Sequence, residues 1–477
     1  MDNRIRSYLT KWPALSIVIY FLYPQLTFAD ANTSDTAATP PNSKWLHIRT
    51  ISFIGNTITK PNIILRDMSI QSGDSVRSDE LEYELNHNKK RILNTQLFST
   101  VKYSYNTAGS DTIDINYEVS ELLYWLVKPL FSLADRNLNV WWVEQNRRLD
   151  RTNIGADLTR VNFRGRNEKI GALIQVGYNK YFELYYSIPF IDKKMKQGLG
   201  ASITYETGRE INFITDQNKL YFFRSEHYPY QRFKSKLAYT YRNRYAAIHE
   251  ANISYHFISI SKPLYELSPG FLGGLTRVNF FELNYIFRFN NTDIRLYPIN
   301  GIELKTVFSK KGLVVDKDVN QFSIANETSY YRSIYGNVSS SFIFRGRLSF
   351  PQNQPYYFNR AMGFKSEYIR GYEYYVMDGS HYALLRSNLR FKILDRILTQ
   401  NILKFIKYIP LKIYSKAYDD IGYVHNSNPQ NSKLNNKLLN GYGVGLDVLI
   451  SYYVRLRLEY SFNHLRENAL FLHSTKD

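Results

Sequence analysis

From about Thr152 onward the chain reads as one alternating segment after another, each about ten residues long and parted by turn residues. Examples are Tyr181–Phe190, Lys234–Arg242, Ala251–Phe257, Ile302–Phe308, Val338–Phe344 and Val454–Phe462. In the last, Val454, Leu456, Leu458, Tyr460 and Phe462 point one way, and Arg455, Arg457 and Glu459 point the other. Apolar outward and charged inward is what a sheet standing in lipid requires. Hydrocarbon offers no partner to an open strand edge, so such a sheet must close. About sixteen segments can be counted, an even number as in bacterial barrels. No run of roughly eighteen apolar residues occurs, so no transmembrane helix competes with this reading.

Composition agrees. The 477 residues include 41 Tyr, 29 Phe and 5 Trp, yet mean hydropathy is −0.38. Many aromatics in a polar chain suit a transmembrane β-barrel, where only alternate residues meet lipid and aromatics girdle both interfaces. The absence of cysteine excludes disulfides, thiolate metal sites and a cysteine-linked lipid anchor. The net charge of +19 comes from Lys and Arg scattered singly through strand-like text, without a dense basic tract. A basic lumen, or loops meeting anionic lipid headgroups, fits that distribution better than nucleic-acid binding.

Residues 1–29 read as a secretory leader: a basic start, an apolar stretch from Trp12 to Tyr23, then Thr27-Phe28-Ala29. That stretch is roughly a dozen residues, too short to span as a helix. Residues 30–45 form a polar linker containing Pro and Thr. Residues 46–121 read as β-α-α-β-β: a strand over Leu46–Ile54, helices over Pro61–Met68 and Ser78–Asn94 with Ser78 as cap, and strands around Val101–Tyr105 and Ile113–Val119. Two helices on a three-stranded sheet would make a small core. Residues 122–151, with Pro129 and Trp141-Trp142, read as a connector, and 152–477 as the barrel. Ile397–Tyr408 reads as a short amphipathic helix in a turn.

The module, through Phe53-x-Gly55-Asn56, Gly73, Leu97-Phe98 and Val119-x-Glu121, resembles a POTRA domain, the periplasmic module of the BamA/TamA outer-membrane superfamily. The rest of the chain resembles that family's barrel. Asn162–Glu168 is similar to its tight first loop, and Asp293 with Pro298-x-x-Gly301 to a central strand pair. Ile369-Arg370-Gly371-Tyr372, followed by Asp378-Gly379, resembles the motif at the tip of a loop folded back into the lumen. The resemblance implies that Arg370 pairs with carboxylates of the inner wall; Asp420, Asp447 and Glu459 are the candidates. A guanidinium stays charged and offers five donors, so inside a lumen it needs such partners. This chain has Asn388-Leu389-Arg390 where the family often has Glu-Leu-Arg, so an amide stands where the resemblance would place a carboxylate.

The closing strands run from Gly441, Gly443 and Gly445 to Phe471. A short last strand, Asn468–His473, expected to pair near Gly155–Val161, would carry few ladder bonds, and the glycines would add weakness. Together these residues predict a seam that can open. No enzyme constellation emerges: no H-E-x-x-H, no Gly-rich phosphate loop and no G-x-S-x-G. No cofactor or metal is expected. The expected function is assembly or insertion of outer-membrane proteins. The expected partners are outer-membrane lipid, unfolded outer-membrane or secreted proteins, and periplasmic accessory proteins, with no nucleic acid. The alternatives are a secretion pore for a dedicated partner protein and a passive porin-like barrel.

Overall fold

The computed structural model describes residues 44–474, apart from 135–140, 143–144, 245, 296, 314–315, 317, 365–366, 400–407 and 451–453. The expected leader and nearly all of the linker lie outside the described residues.

The N-terminal module runs β1 (Trp45–Ile54), α1 (Pro61–Leu65), β2 (Ser75–Arg77), α2 (Leu81–Asn94), β3 (Phe98–Thr107) and β4 (Thr112–Glu121). Its sheet has four strands, not three, in the order β2-β1-β4-β3, with β1 parallel to β4. The extra strand, β2, is three residues long, too short to leave an alternation in the sequence, and pairs with Trp45–His47. Helix α2 starts at Leu81, and Ser78 does not cap it; the Ser78 amide donates to the Lys44 carbonyl (3.0 Å). Leu81, Leu85 and Ile92, spaced along one face of α2, bury against Ile113, Ile115 and Tyr117. Burial of each such aliphatic side chain contributes about 1.5–3 kcal/mol.

The remaining elements are β5 (Trp125–Leu133), β6 (Thr152–Phe163), β7 (Glu168–Gly177), β8 (Asn179–Ile188), β9 (Gln197–Gly208), β10 (Glu210–Asp216), β11 (Lys219–Arg224), β12 (Tyr230–Arg244), β13 (Ala247–Ile260), α3 (Lys262–Leu267), β14 (Arg277–Asn290) and β15 (Gly301–Lys311). They continue with β16 (Gln321–Tyr335), β17 (Val338–Phe350), β18 (Arg360–Met362), β19 (Met377–Asp378), β20 (His381–Thr399), β21 (Tyr408–His425), β22 (Leu438–Ile450), β23 (Val454–Asn463) and β24 (Asn468–Ser474). One antiparallel sheet of sixteen strands takes in β5–β9, β12–β17 and β20–β24. The alternation read from the sequence is its two faces. Leu237, Ile253, Leu283 and Phe308 are exposed on the outer wall, while Ser254, Glu282 and Ser309 are buried inside.

Three expectations need correction. The barrel begins at β5, inside the stretch read as connector. Pro129 lies on this strand opposite Ala156, at the edge of the sheet, where a missing N–H can be tolerated. Residues 155–161 therefore pair with β5 and β7, not with the last strand. The helix expected from Ile397 is instead the end of β20 as far as Thr399; residues 400–407 lie outside the described residues.

At the rim away from the module, the β10–β11 hairpin folds over the mouth. It packs Ile211 into a core with Phe271, Leu272, Phe280 and Phe358. At the module-side rim, Phe190 enters the module's own core, and the Lys60 amide donates to the Gly165 carbonyl (3.1 Å).

Candidate functional site

The loop 351–380 leaves β17 at the far rim and turns down into the lumen. Its tip is Ile369-Arg370-Gly371-Tyr372, and all three side chains are buried. Gly371 has φ +90°, a left-handed conformation that favours glycine, and its carbonyl accepts from Asn463 Nδ2 (2.7 Å). This turn aims Arg370 at the wall. Arg370 Nε donates to both Asp420 oxygens (3.1 and 3.0 Å), Nη2 also reaches Asp420, and the Arg370 amide donates to Asp420 Oδ2 (3.0 Å). Nη1 donates to Asn388 Oδ1 (2.7 Å) and Glu459 Oε1 (3.3 Å). The guanidinium lies 3.9 Å over the Tyr418 ring. Charge-assisted, multidentate bonds in a dry pocket are the strong kind, and a cation over an aromatic face adds to them.

Of the three candidate acids, two meet Arg370 and one does not. Asp447 instead binds Lys416 Nζ (2.7 Å), Arg457 Nε (3.2 Å) and the hydroxyl of Tyr297 (2.9 Å). The Asn388 departure costs no contact, because a neutral acceptor suffices where Asp420 and Glu459 already supply the charge. Asp378 and Gly379 stand farther up the loop, at the rim. The Asp378 carbonyl accepts from Asn426 and Asn435, and the Gly379 carbonyl from Arg347.

The glycines assigned to the seam are not there. They lie on β22, two strands inside the sheet end, with full ladders to β21 and β23. Their side faces the lumen, where Gly441 makes room for the loop and Gly443 and Gly445 make room for side chains and backbone of the neighbouring wall strands. A Cβ on Gly441 would stand 1.9 Å from the Arg370 carbonyl oxygen; on Gly443, 2.5 Å from the Tyr418 hydroxyl; on Gly445, 3.0 Å from the Lys416 side chain. Asp420 pairs directly with Gly441, and Glu459 with Gly445, so the small residues stand beside the carboxylates Arg370 must reach. Phe471 does lie on the last strand, buried inward against Tyr374 (ring centroids 5.5 Å).

Two parts of the site were not read from the sequence. Tyr297 belongs to the loop 291–300, which Asp293 folds by accepting from the Ile299 and Asn300 amides (3.0 and 3.3 Å). The loop crosses to the opposite wall, where Tyr297 meets Tyr414 (4.6 Å) and Arg390 Nη1 donates to the Pro298 carbonyl (3.0 Å). The Asp293…Gly301 pattern pointed to a central strand pair; the reach of Tyr297 left no mark. The second is His473 of β24, stacked on Tyr368 (5.3 Å), with Nε2 3.6 Å from Glu459 Oε2 and 3.8 Å from Glu373 Oε1. Glu373, Glu459 and His473 could each turn one ligand atom toward a metal ion. Arg370, Lys416 and Arg457 already surround Glu459, however, so a divalent cation would add unbalanced positive charge. The cluster is better suited to tie the last strand to the loop.

The seam itself lies between β5 and β24. Every other neighbouring pair in the sheet has a hydrogen-bonded ladder, whereas none joins β5 to β24 among the described residues. At the module junction, Thr59 links three elements. Its hydroxyl meets Glu121 (2.5 Å) and Tyr124 (2.7 Å) and accepts from Asn162 Nδ2 (2.8 Å). Burial pushes the Glu121 carboxyl up, but hydrogen bonds from Thr59, Thr57 and Ile58 outweigh it and hold it below the usual carboxylate range.

A sixteen-stranded antiparallel wall, a soluble α+β module docked under one rim and a loop buried in the lumen define an outer-membrane barrel with a POTRA unit. Residues 46–122 match the POTRA family, described as surface antigen variable number repeat, and residues 162–468 match the Omp85 superfamily domain. The chain belongs to the Omp85 superfamily. Among solved structures it is similar to BamA from Haemophilus ducreyi lacking POTRA domains 1–3 (15% identity, 90% of this chain and 84% of that chain, TM-score 0.52). It is also similar to CdiB from Escherichia coli (10% identity, 90% of this chain and 75% of that chain, TM-score 0.55). At these identities the likeness concerns the fold. No curated protein matches the sequence.

Proposed function

We propose that this chain inserts other proteins into the bacterial outer membrane, with its POTRA module on the periplasmic side. The module's free sheet edge captures an extended substrate segment by backbone pairing, a mode that makes little demand on sequence. The substrate strand then adds at the β5–β24 seam and passes into lipid. The observation that carries this reading is that, among the described residues, no ladder forms at that one seam. Unpaired backbone groups in hydrocarbon cost several kcal/mol each, so a seam without ladder bonds is the least costly place for an incoming strand to pair. The buried loop and the β10–β11 hairpin occupy the lumen and its mouth, which speaks against passive diffusion.

Depletion in cells followed by a survey of outer-membrane proteins tests the reading. Insertion predicts that several barrel proteins decline together. Loss of one secreted protein, with barrel proteins unchanged, would assign the chain to secretion of a dedicated partner instead.

A further inference from the structure

We propose that the junction between the POTRA module and the barrel holds a binding site for an oxyanion, a carboxylate or phosphate group, gripped by Lys169, Arg242 and Arg295. The cavity there is about 230 Å³. Asp67 and Gln96 line it from the module, Lys169, Ser187 and Arg242 from β7, β8 and β12, and Arg295 from the loop 291–300.

The charges do not balance. Among the described residues Asp67 is the sole carboxylate in the lining, and it is already shared between Arg66 Nη1 (3.0 Å) and Arg242 Nη2 (3.1 Å). Among the described residues, no ion pair or hydrogen bond neutralises Lys169 or Arg295. Crowding of cations is felt at the rim of the cavity: burial and the neighbouring Arg242 push the Arg66 guanidinium down to about 10. Like charges converging in a half-enclosed, polar-lined space are the arrangement that a bound anion relieves. The anion would touch module and barrel at once, so binding would also stiffen the joint between them.

The position limits the source. Lys169 faces the lumen, while its strand neighbours Ile170, Ile174 and Val176 are exposed on the lipid side. A lipid headgroup would have to reach through the wall. A free phosphate ion or an acidic side chain of a polypeptide entering beneath the barrel remains, and the two differ in the test. The site is independent of the insertion reading and can fail without it.

The experiment uses the full-length protein in detergent micelles at low salt, with inorganic phosphate, a short glutamate-rich peptide and its glutamine counterpart as probes. Thermal unfolding of wild type should shift upward with phosphate or the acidic peptide, and not with the glutamine peptide. A response to the peptide at tenfold lower concentration than phosphate assigns a polypeptide source; the reverse assigns free phosphate. The double variant Lys169→Gln/Arg295→Gln, relieved of repulsion, should unfold at a higher temperature than wild type without anion and should respond to neither probe. A wild type that ignores both anions, or a double variant that responds as wild type does, overturns the site.

Discussion

Arg370 is the residue on which the lumen loop depends. Arg370→Ala would leave Asp420 buried beside a void, with a loss on the order of 3 kcal/mol for breaking a buried ion pair. Protease cleavage of the loop in intact cells should rise, and complementation should fall; wild-type sensitivity with full complementation would count against a docking role. Gly441→Ala asks the same question without touching a charge. Its Cβ would fall 1.9 Å from the Arg370 carbonyl, so the loop must lift, at about 1–3 kcal/mol. The variant should reproduce the exposure of the loop seen in Arg370→Ala; a loop that stays protected would show that the wall can yield. The arginine and its need for an acid were legible from the motif. Which acid it meets was not, because Asp420, Asp447 and Glu459 are equivalent in a strand pattern. The tip docks beside Gly441, and Asp447 lies farther along the same strand by about 20 Å at the usual rise per residue.

Among the elements, the β10–β11 hairpin and the module sheet are the testable ones. Asn218 at the hairpin turn is buried at φ +63°, a conformation Asn accepts more readily than most residues. Its Nδ2 donates to the Val376 carbonyl (3.0 Å) and Ser432 Oγ (2.8 Å), and its Oδ1 accepts from the Lys433 and Leu434 amides (2.9 and 3.2 Å). One side chain thus latches the hairpin to the lumen loop and to the loop after β21. Asn218→Ala should loosen the cap by about 2–3 kcal/mol, since buried partners are left unsatisfied. Higher conductance in planar bilayers and faster uptake of large antibiotics are the expected readouts; unchanged values would mean that the apolar core under the hairpin suffices. The module has its own core and should unfold cooperatively when isolated as residues 44–122. Titration with an unfolded barrel-strand peptide should move amides along β2 or β3, the sheet edges. Shifts confined to α2 would exclude edge capture. The helices and the longer strands were readable from periodicity; β2 was not, because three residues carry no period.

For the whole molecule, the seam decides the mechanism. Side chains tie the last strand to the lumen loop through Phe471 and His473, yet among the described residues no backbone ladder ties it to β5. A cysteine pair across β5 and β24, with Cβ atoms about 4 Å apart, can be oxidised cleanly because the chain has no native cysteine. Oxidation should stop assembly of outer-membrane proteins and reduction should restore it. A pair at Ala238 and Asn252, directly opposite within the β12–β13 ladder, should be harmless. Normal assembly by the oxidised seam pair would remove lateral opening and bring secretion through the barrel to the front.

The sequence by itself determined the wall, the module and the loop. Period-two alternation and turn residues are local, and each strand announces its inner and outer face wherever it ends up. It also marked Gly441, Gly443 and Gly445 as unusual, but reading them as weakness rather than clearance followed from seeing one strand at a time. Only the tertiary structure could decide which elements meet. The first strand was hidden because Pro129 is tolerated only at an edge, and an edge exists only once the sheet is assembled. Tyr297 crosses the lumen to Asp447 over 150 positions of chain, and Arg370 reaches Glu459 over 89. Contacts of that separation depend on barrel closure, which a run of residues read in isolation does not encode.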